Sequence, residues 1–299
     1  MTSTVSDDTQ QLLDRIAETT PEWRAWLTLI GETLHAASDP AWASATPEPR
    51  ADRTPNAPLL DGIVLTLDAR MARNWVTHLL ATAAGTGSPQ LAPLGAVASD
   101  DHLDARALLE AAIAQDEERL GQLARDAGIE PAVLSPVAQL AAMPLLQACG
   151  RHLEDHAPAV WPHGYCPKCG AWPTMADVRG LERNRRLLCG RCGGDWGIAL
   201  LRCPYCRTND HQRLGSLVPE ENGELRKVDT CDECRGYIKT VTTLHKWPAL
   251  RVALEDLASV DLDVVALDRG YIRPSPPGYP LKIRVELTAP RRRFLGWRS

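Results

Sequence analysis

The sequence predicts an α+β protein with an all-α N-terminal domain, two tandem β-rich four-cysteine modules of the zinc-ribbon or rubredoxin-like kind, and a C-terminal helix. Two observations predict this class. Apolar residues recur at helical spacing through much of residues 1–159. Eight of the nine cysteines then fall within residues 166–234, where Gly, Arg and aromatic residues are also frequent. Short strands held by local crosslinks suit such a composition.

Predicted boundaries follow these changes in composition. The helical domain covers 1–159, the first four-cysteine module 160–198, the second 199–245, and the C-terminal helix and tail 246–299. Helices are expected at about 10–19, 22–36, 68–83, 102–126, 132–156 and 249–268.

Prolines punctuate this pattern. The proline-rich segment 39–60 is predicted to be a loop. Pro136 and Pro144 are expected to bend or divide the helix that contains them, because proline removes a helical hydrogen bond. Near the C-terminus, the run KIRVEL at 282–287 is typical of a short strand.

Charge divides along the same boundary. The chain has 33 Lys and Arg against 38 Asp and Glu, a net charge of −5. Residues 1–159 hold 10 basic and 22 acidic side chains, whereas residues 160–250 hold 14 basic and 10 acidic ones. The acidic balance argues against a dedicated binder of nucleic acid or of anionic membranes.

The N-terminal run MTSTVSDDTQQ has neither the basic region nor the apolar region of a secretory signal. No uninterrupted apolar run approaches the roughly 18 residues that a membrane-spanning helix needs. We therefore expect a cytoplasmic protein. Cytoplasmic thiols stay reduced, so pairs of cysteines there favour metal or redox sites over disulfides.

Four C-x-x-C pairs, separated by 19, 10 and 24 residues, form the main motif. The pairs are Cys166 and Cys169, Cys189 and Cys192, Cys203 and Cys206, and Cys231 and Cys234. Two such turns on neighbouring hairpins can complete a tetrahedron of thiolates around one ion. The predicted grouping combines the first two pairs as site 1 and the last two as site 2. An interleaved grouping, as in cross-braced domains, remains an alternative.

Residues beside the cysteines agree with this interpretation. Gly170 and Gly193 follow a second cysteine and permit the left-handed backbone that points amide N–H groups at sulfur. Trp161, Trp172 and Trp196 are expected to shield the sites from water.

Four thiolates suit either zinc or a mononuclear iron centre, so the sequence leaves the metal open. A closed shell of four ligands has no free coordination position for Lewis-acid catalysis. Structural stabilisation and one-electron transfer both remain possible roles.

Other candidate residues carry weaker signals. Cys149 is interpreted as a small buried hydrophobe, and His211 as a spare residue beside a saturated site. His152 and His156 lie one helical turn apart but lack an accompanying carboxylate motif. The sequence contains no dinucleotide, P-loop, hydrolase or kinase motif, so we predict no enzyme activity and no catalytic residues. Arg291, Arg292 and Arg293 are interpreted as a solvated tail.

The cysteine motifs and their neighbours resemble a known family. The runs CPKCGAWP, LLCGRCGGDW, LRCPYC and DTCDECRGYIK are similar to those of the formate dehydrogenase accessory proteins known as FdhE. The similarity extends through Asp256–Ser259, Leu262 and Asp263, and Gly270 and Tyr271. It covers about residues 160–275 closely, whereas the helical part has few diagnostic residues.

The resemblance implies a cytoplasmic maturation factor for molybdenum- or tungsten-dependent formate dehydrogenase. It also implies binding to the catalytic subunit before twin-arginine export, and two rubredoxin-like iron sites on the eight cysteines. Two alternatives remain at this point: an iron redox protein that acts on the same enzyme, and a zinc-ribbon protein that binds nucleic acid. Neither membrane nor nucleic-acid partners are expected, and the oligomeric state is left open.

Overall fold

The structure is a computed structural model that describes residues 7–220, 223, 225–275 and 277–289. Its helices are α1 Asp7–Thr19, α2 Arg24–Ala37, α3 Ala69–Gly85, α4 Leu94–Ala98, α5 Ala105–Ala114, α6 Glu117–Asp126, α7 Pro131–His152, α8 Ala249–Leu257 and α9 Val260–Asp268. Its strands are β1 Ile63–Asp68, β2 Met175–Arg179, β3 Asn184–Leu188, β4 Asp195–Gly197, β5 Leu214–Leu217, β6 Arg226–Cys231, β7 Tyr237–Thr243 and β8 Ile283–Thr288. The mixed class predicted from the sequence is confirmed.

Helix α7 lies at the centre of the helical part, in contact with α2, α3, α5 and α6. The two internal prolines do not divide it, because it continues through all 22 residues with most side chains from 134 to 150 buried. It is long and apolar enough to cross a membrane by length and composition, with a mean hydropathy of 1.4 over its best window. However, 67% of that window is buried within the protein, as in a core helix.

The helix predicted at 102–126 is two helices, α5 and α6. Gln115 adopts φ +57° and ends α5 in the left-handed conformation. The Asp116 carboxylate then accepts a 2.9 Å hydrogen bond from the Arg119 N–H and starts α6. The acidic run that interrupts the apolar stripe in the sequence is therefore a new helix start.

A strand inside the helical part was not predicted. Strand β1 pairs in parallel with β8, in a register from Ile63–Ile283 to Asp68–Thr288. The predicted strand at 282–287 is therefore observed, but its partner lies more than 200 residues earlier. The Glu110 carboxylate of α5 also accepts a 2.8 Å hydrogen bond from the Val285 N–H.

The two cysteine modules form one sheet of six strands, in the order β4-β3-β2-β7-β6-β5. The parallel pair β2–β7 joins the modules, whereas the other pairs are antiparallel. The first module contributes the antiparallel strands β2, β3 and β4 at one end, and the second contributes β5, β6 and β7 at the other. The two modules therefore share a continuous sheet.

The segment predicted as one helix at 249–268 is α8 followed by α9. A buried ion network holds both helices on the second module. Lys239 of β7 has 0% exposure and contacts the carboxylates of Asp256 and Asp263 at 2.8 and 2.7 Å. Arg273 contacts the same two carboxylates at 2.6 and 2.7 Å. These acids belong to the C-terminal residues that carry the family resemblance.

This network predicts a pH dependence. Although burial opposes ionisation, Arg273 and Lys239 hold the pKa of Asp263 below its usual value. A depressed folded-state pKa stabilises the fold above the unfolded pKa of about 4, and this contribution is lost as the pH falls through the folded pKa. We expect the second module to loosen below about pH 4, and Asp263→Asn to weaken that dependence. Proteolysis across a pH series checks this, and an unchanged profile in the variant would contradict it.

Candidate metal centres

The first centre groups Cys166, Cys169, Cys189 and Cys192, whose Sγ atoms all lie within 4.8 Å of one another. Two Sγ pairs are separated by 3.5 and 3.6 Å. A tetrahedron with metal–sulfur bonds of about 2.3 Å has sulfur atoms about 3.8 Å apart. All four cysteines are buried, and none forms a disulfide. The cluster therefore fits one divalent or trivalent ion.

The second centre groups Cys203, Cys206, Cys231 and Cys234 within the same limit. Its close Sγ pairs are separated by 3.7 and 3.6 Å. Here Cys206 is exposed and Cys234 is half-buried. Each cluster combines two C-x-x-C pairs that are consecutive in the sequence, as predicted, and the interleaved grouping does not match this geometry. Metal binding by the eight thiols stays a prediction.

Local backbone geometry positions the thiols. In the first centre, the N–H groups of Gly170 and Gly193 donate 3.0 Å hydrogen bonds to the carbonyls of Cys166 and Cys189. Both glycines have positive φ, at +74° and +73°. The left-handed backbone expected at these two glycines is therefore observed.

The second centre departs from that rule, since Arg207 and Arg235 hold the corresponding positions at φ +68° and +56°. A left-handed conformation costs a residue with a Cβ about 1–2 kcal/mol. Arg235 gains compensating contacts, because its guanidinium lies 4.1 Å from the Tyr271 ring and donates a 2.7 Å hydrogen bond to the Arg269 carbonyl. Arg207 is exposed and has no side-chain hydrogen bond to any described residue.

Arg207→Gly is therefore expected to stabilise the second module by up to about 1 kcal/mol. Arg235→Gly should instead destabilise it, because the stacking on Tyr271 is lost. Thermal unfolding of both metal-loaded variants measures this difference. Equal shifts in the same direction would show that backbone strain and side-chain contacts do not act as described.

Burial raises the pKa of Cys166 well above that of a free thiol, and that of Cys234 to about 11. Hydrogen bonds from the neighbouring thiols lower the pKa of Cys189. A cation must displace protons from the remaining thiols. Metal uptake should therefore release protons and strengthen as the pH rises.

Helix α7 supports the first centre directly. Lys168, which is 2% exposed, donates a 2.7 Å hydrogen bond to the Gly150 carbonyl and pairs with Glu154. The Gln147 amide donates a 3.0 Å hydrogen bond to the Arg191 carbonyl. Lys168 is not among the residues predicted from the sequence, where its position inside CPKC is its one signal.

Aromatic side chains lie around and between the centres. Trp161 and Trp196 are buried, and Trp172 is half-buried, which agrees with a shielding role. Trp172 packs edge-on against Tyr205, with ring centroids 5.3 Å apart. The Tyr205 hydroxyl donates a 2.9 Å hydrogen bond to the Tyr237 carbonyl. The contact between Trp172 and Tyr205 therefore connects the first module to the C-x-x-C turn of the second.

The remaining candidates are not brought into a metal site. Cys149 is fully buried, and burial raises the pKa of its thiol to about 12, which suits a core residue. His152, His156 and His211 belong to neither cluster, and the described residues contain no other group able to hold an ion. The cluster Arg291–Arg293 lies outside the described residues.

The difference in exposure predicts stepwise metal loss. Thiol-reactive mercurials should release the ion of the second centre first, because Cys206 is accessible, and that of the first centre only on unfolding. Release followed with a colorimetric chelator should show two phases of one ion each. Cys206→Ser should abolish the fast phase, whereas a single phase of two ions would contradict the assignment.

The family described as FdhE, C-terminal domain, matches residues 201–278, which span the second centre, α8 and α9. Over these residues the chain is similar to the C-terminal domain of FdhE proteins. The resemblance predicted from the cysteine motifs is thereby confirmed.

Curated FdhE homologues agree over a longer segment. Identity is 38% over 115 residues with the homologue of Stutzerimonas stutzeri and 33% over 116 residues with that of Aquifex aeolicus. It is 31% over 113 residues with FdhE of Escherichia coli O127:H6. These alignments span 37–38% of this chain and 36–40% of the relatives.

The crystal structure of FdhE from Pseudomonas aeruginosa extends the likeness of fold to most of the chain. The two share a TM-score of 0.54 and 22% identity, over 90% of this chain and 92% of the other. The helical part and the paired strands β1 and β8 therefore belong to a fold seen in an FdhE protein, although their sequence carries little similarity.

Proposed function

We propose that this chain is a cytoplasmic accessory factor for formate dehydrogenase, which binds the catalytic subunit before twin-arginine export and promotes its maturation. The observation that carries the proposal is the pair of complete four-cysteine clusters in a chain that matches the FdhE C-terminal domain over residues 201–278. Each set of four cysteines would hold one mononuclear ion, either iron or zinc. Such closed thiolate shells supply structural rigidity and, with iron, one-electron chemistry.

No catalytic residue is needed for this role. The protein's own residues would present a rigid surface, because the first centre is buried against α7 and the second is fixed by the Lys239–Asp263 network. A surface that is already ordered before contact loses less entropy on binding a partner.

Co-purification from the native host tests the proposal. Tagged protein prepared without air should capture the catalytic subunit, and deletion of the gene should lower formate dehydrogenase activity. Gly85→Ala, which meets no neighbouring atom, serves as a neutral substitution control. Failure to capture the subunit, together with full activity in the deletion strain, would contradict the proposal.

A second candidate is an iron redox protein that acts on the same enzyme. The exposed thiol of Cys206 favours it, because electron exchange with a partner needs a centre close to the surface. Metal analysis and visible absorption of protein purified without air distinguish the two. Colourless protein loaded with zinc would eliminate the redox candidate.

A further inference from the structure

A pocket of about 270 Å³ opens between the two cysteine modules. Its floor is the sheet itself, since Val178 of β2, Ile238 of β7 and Lys227 of β6 all line it. The turn that links the modules, residues 200–205, forms one wall, and Cys203 and Cys231 of the second centre adjoin it. The pocket therefore depends on the joining of both modules into one sheet.

The linking turn holds two leucines out in solvent. Leu200 and Leu201 line the pocket and are 51% and 59% exposed. Arg185, which is 6% exposed, fixes this turn through a 2.8 Å hydrogen bond to the Arg202 carbonyl and a 3.0 Å contact with Asp229. Adjacent exposed apolar side chains rimmed by polar groups mark a surface that can bind another chain.

The charges around the pocket are unbalanced. Arg183, Arg185, Arg202 and Lys227 face the single lining carboxylate of Asp229 among the described residues. Asp229 already pairs with Arg185 and Lys227, at 3.0 and 2.8 Å. Arg183 and Arg202 form no ion pair within the described part of the chain, and the buried Nε of Arg185 has no acceptor there.

The metal centre reduces this excess without removing it. Four thiolates around a divalent ion carry a net charge of −2, which leaves the pocket with one positive charge more than its negative ones. The unpaired arginines line the same pocket as the leucines. Both the apolar and the acidic groups of an occupant would therefore contribute to its binding.

We propose that this pocket is the docking site for an acidic, apolar segment of a protein partner. Carboxylates of that segment would meet Arg183 and Arg202, and an apolar side chain would pack against Leu200 and Leu201. The identity of the partner as formate dehydrogenase rests on the proposed function above, whereas the chemistry of the segment rests on the pocket. Two exposed leucines favour a peptide over a nucleic acid as the occupant.

Fluorescence anisotropy with labelled peptides of about 15 residues, tiled across the catalytic subunit, tests the pocket. At least one acidic, leucine-containing peptide should bind the metal-loaded protein. Its affinity should decrease as the NaCl concentration is raised from about 50 to about 300 mM. Arg202→Glu and Leu201→Ser should each weaken it about tenfold or more. Val264→Ser, on the exposed face of α9, and Arg269→Glu, at the exposed residue that follows α9, are the matched controls and should bind as the unaltered protein does.

Several outcomes would overturn the pocket: no peptide binds, all variants bind alike, or Val264→Ser alone abolishes binding. Tighter binding to a DNA duplex than to any peptide, if Arg202→Glu abolishes it, would also overturn the proposal and favour nucleic-acid binding. Each variant must retain its thermal midpoint and two bound ions. Capture of the whole subunit separates the two proposals: capture by both the unaltered protein and Arg202→Glu retains the function and rejects the pocket. If peptides bind with the expected pattern but the whole subunit is not captured, the pocket is retained and the proposed function is rejected.

Discussion

Cys189→Ser is expected to unfold most of the chain, whereas Cys206→Ser should disrupt only the second module. The four thiols of the first centre belong to the same buried core as the helices, which includes Leu145 and Leu146 of α7. The cysteines of the second centre lie outside that core, and α9 packs in a separate small cluster with β6 and β7. A structural four-thiolate ion supplies on the order of 10 kcal/mol of folding free energy. A domain is stable by only about 5–15 kcal/mol, so loss of the first ion removes most of that margin.

Metal content, circular dichroism and limited proteolysis measure this contrast. Cys189→Ser should lose helical signal and become sensitive to protease throughout, while Cys206→Ser should keep its helices and one ion. Cys149→Ala provides the control, because it removes a buried cysteine that is not in either cluster and should retain both ions. Intact helices in Cys189→Ser would show that the helical part folds without the first centre.

Gly150→Ala is expected to destabilise the protein by about 3 kcal/mol or more, which is exceptional for the addition of one methyl group. A Cβ at this position would lie 1.8 Å from the carbonyl oxygen of Cys192, and backbone atoms cannot move aside as a flexible side chain can. The same approach lets Lys168 reach the Gly150 carbonyl. The substitution should therefore push α7 away from the first centre.

Gly85→Ala is the matched control, since Gly85 ends α3 and an added Cβ meets no atom within 4 Å. Alanine has a higher helix propensity, so this variant should be neutral or stabilised by up to about 1 kcal/mol. Denaturant unfolding of both variants, with metal content measured in parallel, checks the prediction. Similar stability for the two would mean that α7 and the Cys192 turn are not packed as closely as the structure has them.

Local sequence rules worked best where a motif contains all its own determinants. The C-x-x-C pairs and the glycines after Cys169 and Cys192 indicate turns whose geometry depends only on neighbouring residues, and those turns are observed. The same rules did not anticipate Arg207 and Arg235 in the left-handed conformation. At Arg235, contacts of the guanidinium with the Tyr271 ring and the Arg269 carbonyl compensate for the backbone strain.

Long-range pairing was the part that local rules missed. The short apolar run of β1 lies between helical segments, where it cannot be told from part of a buried helix, and its partner β8 lies more than 200 residues away. The pairing of Lys239 with Asp263 likewise has no local signal, and only the packing of α8 and α9 on β7 brings these two side chains together.

The sequence by itself determined the four C-x-x-C pairs, the family resemblance and the mixed fold class, because each depends on residue type and spacing. Tertiary structure alone decided that the first set is sealed within the helical core and the second is open at Cys206. It also decided that β2 and β7 join the modules into one sheet with a basic, leucine-edged pocket. Burial and strand pairing between distant segments have no local signal, since they arise from how the whole chain excludes water from its apolar surfaces.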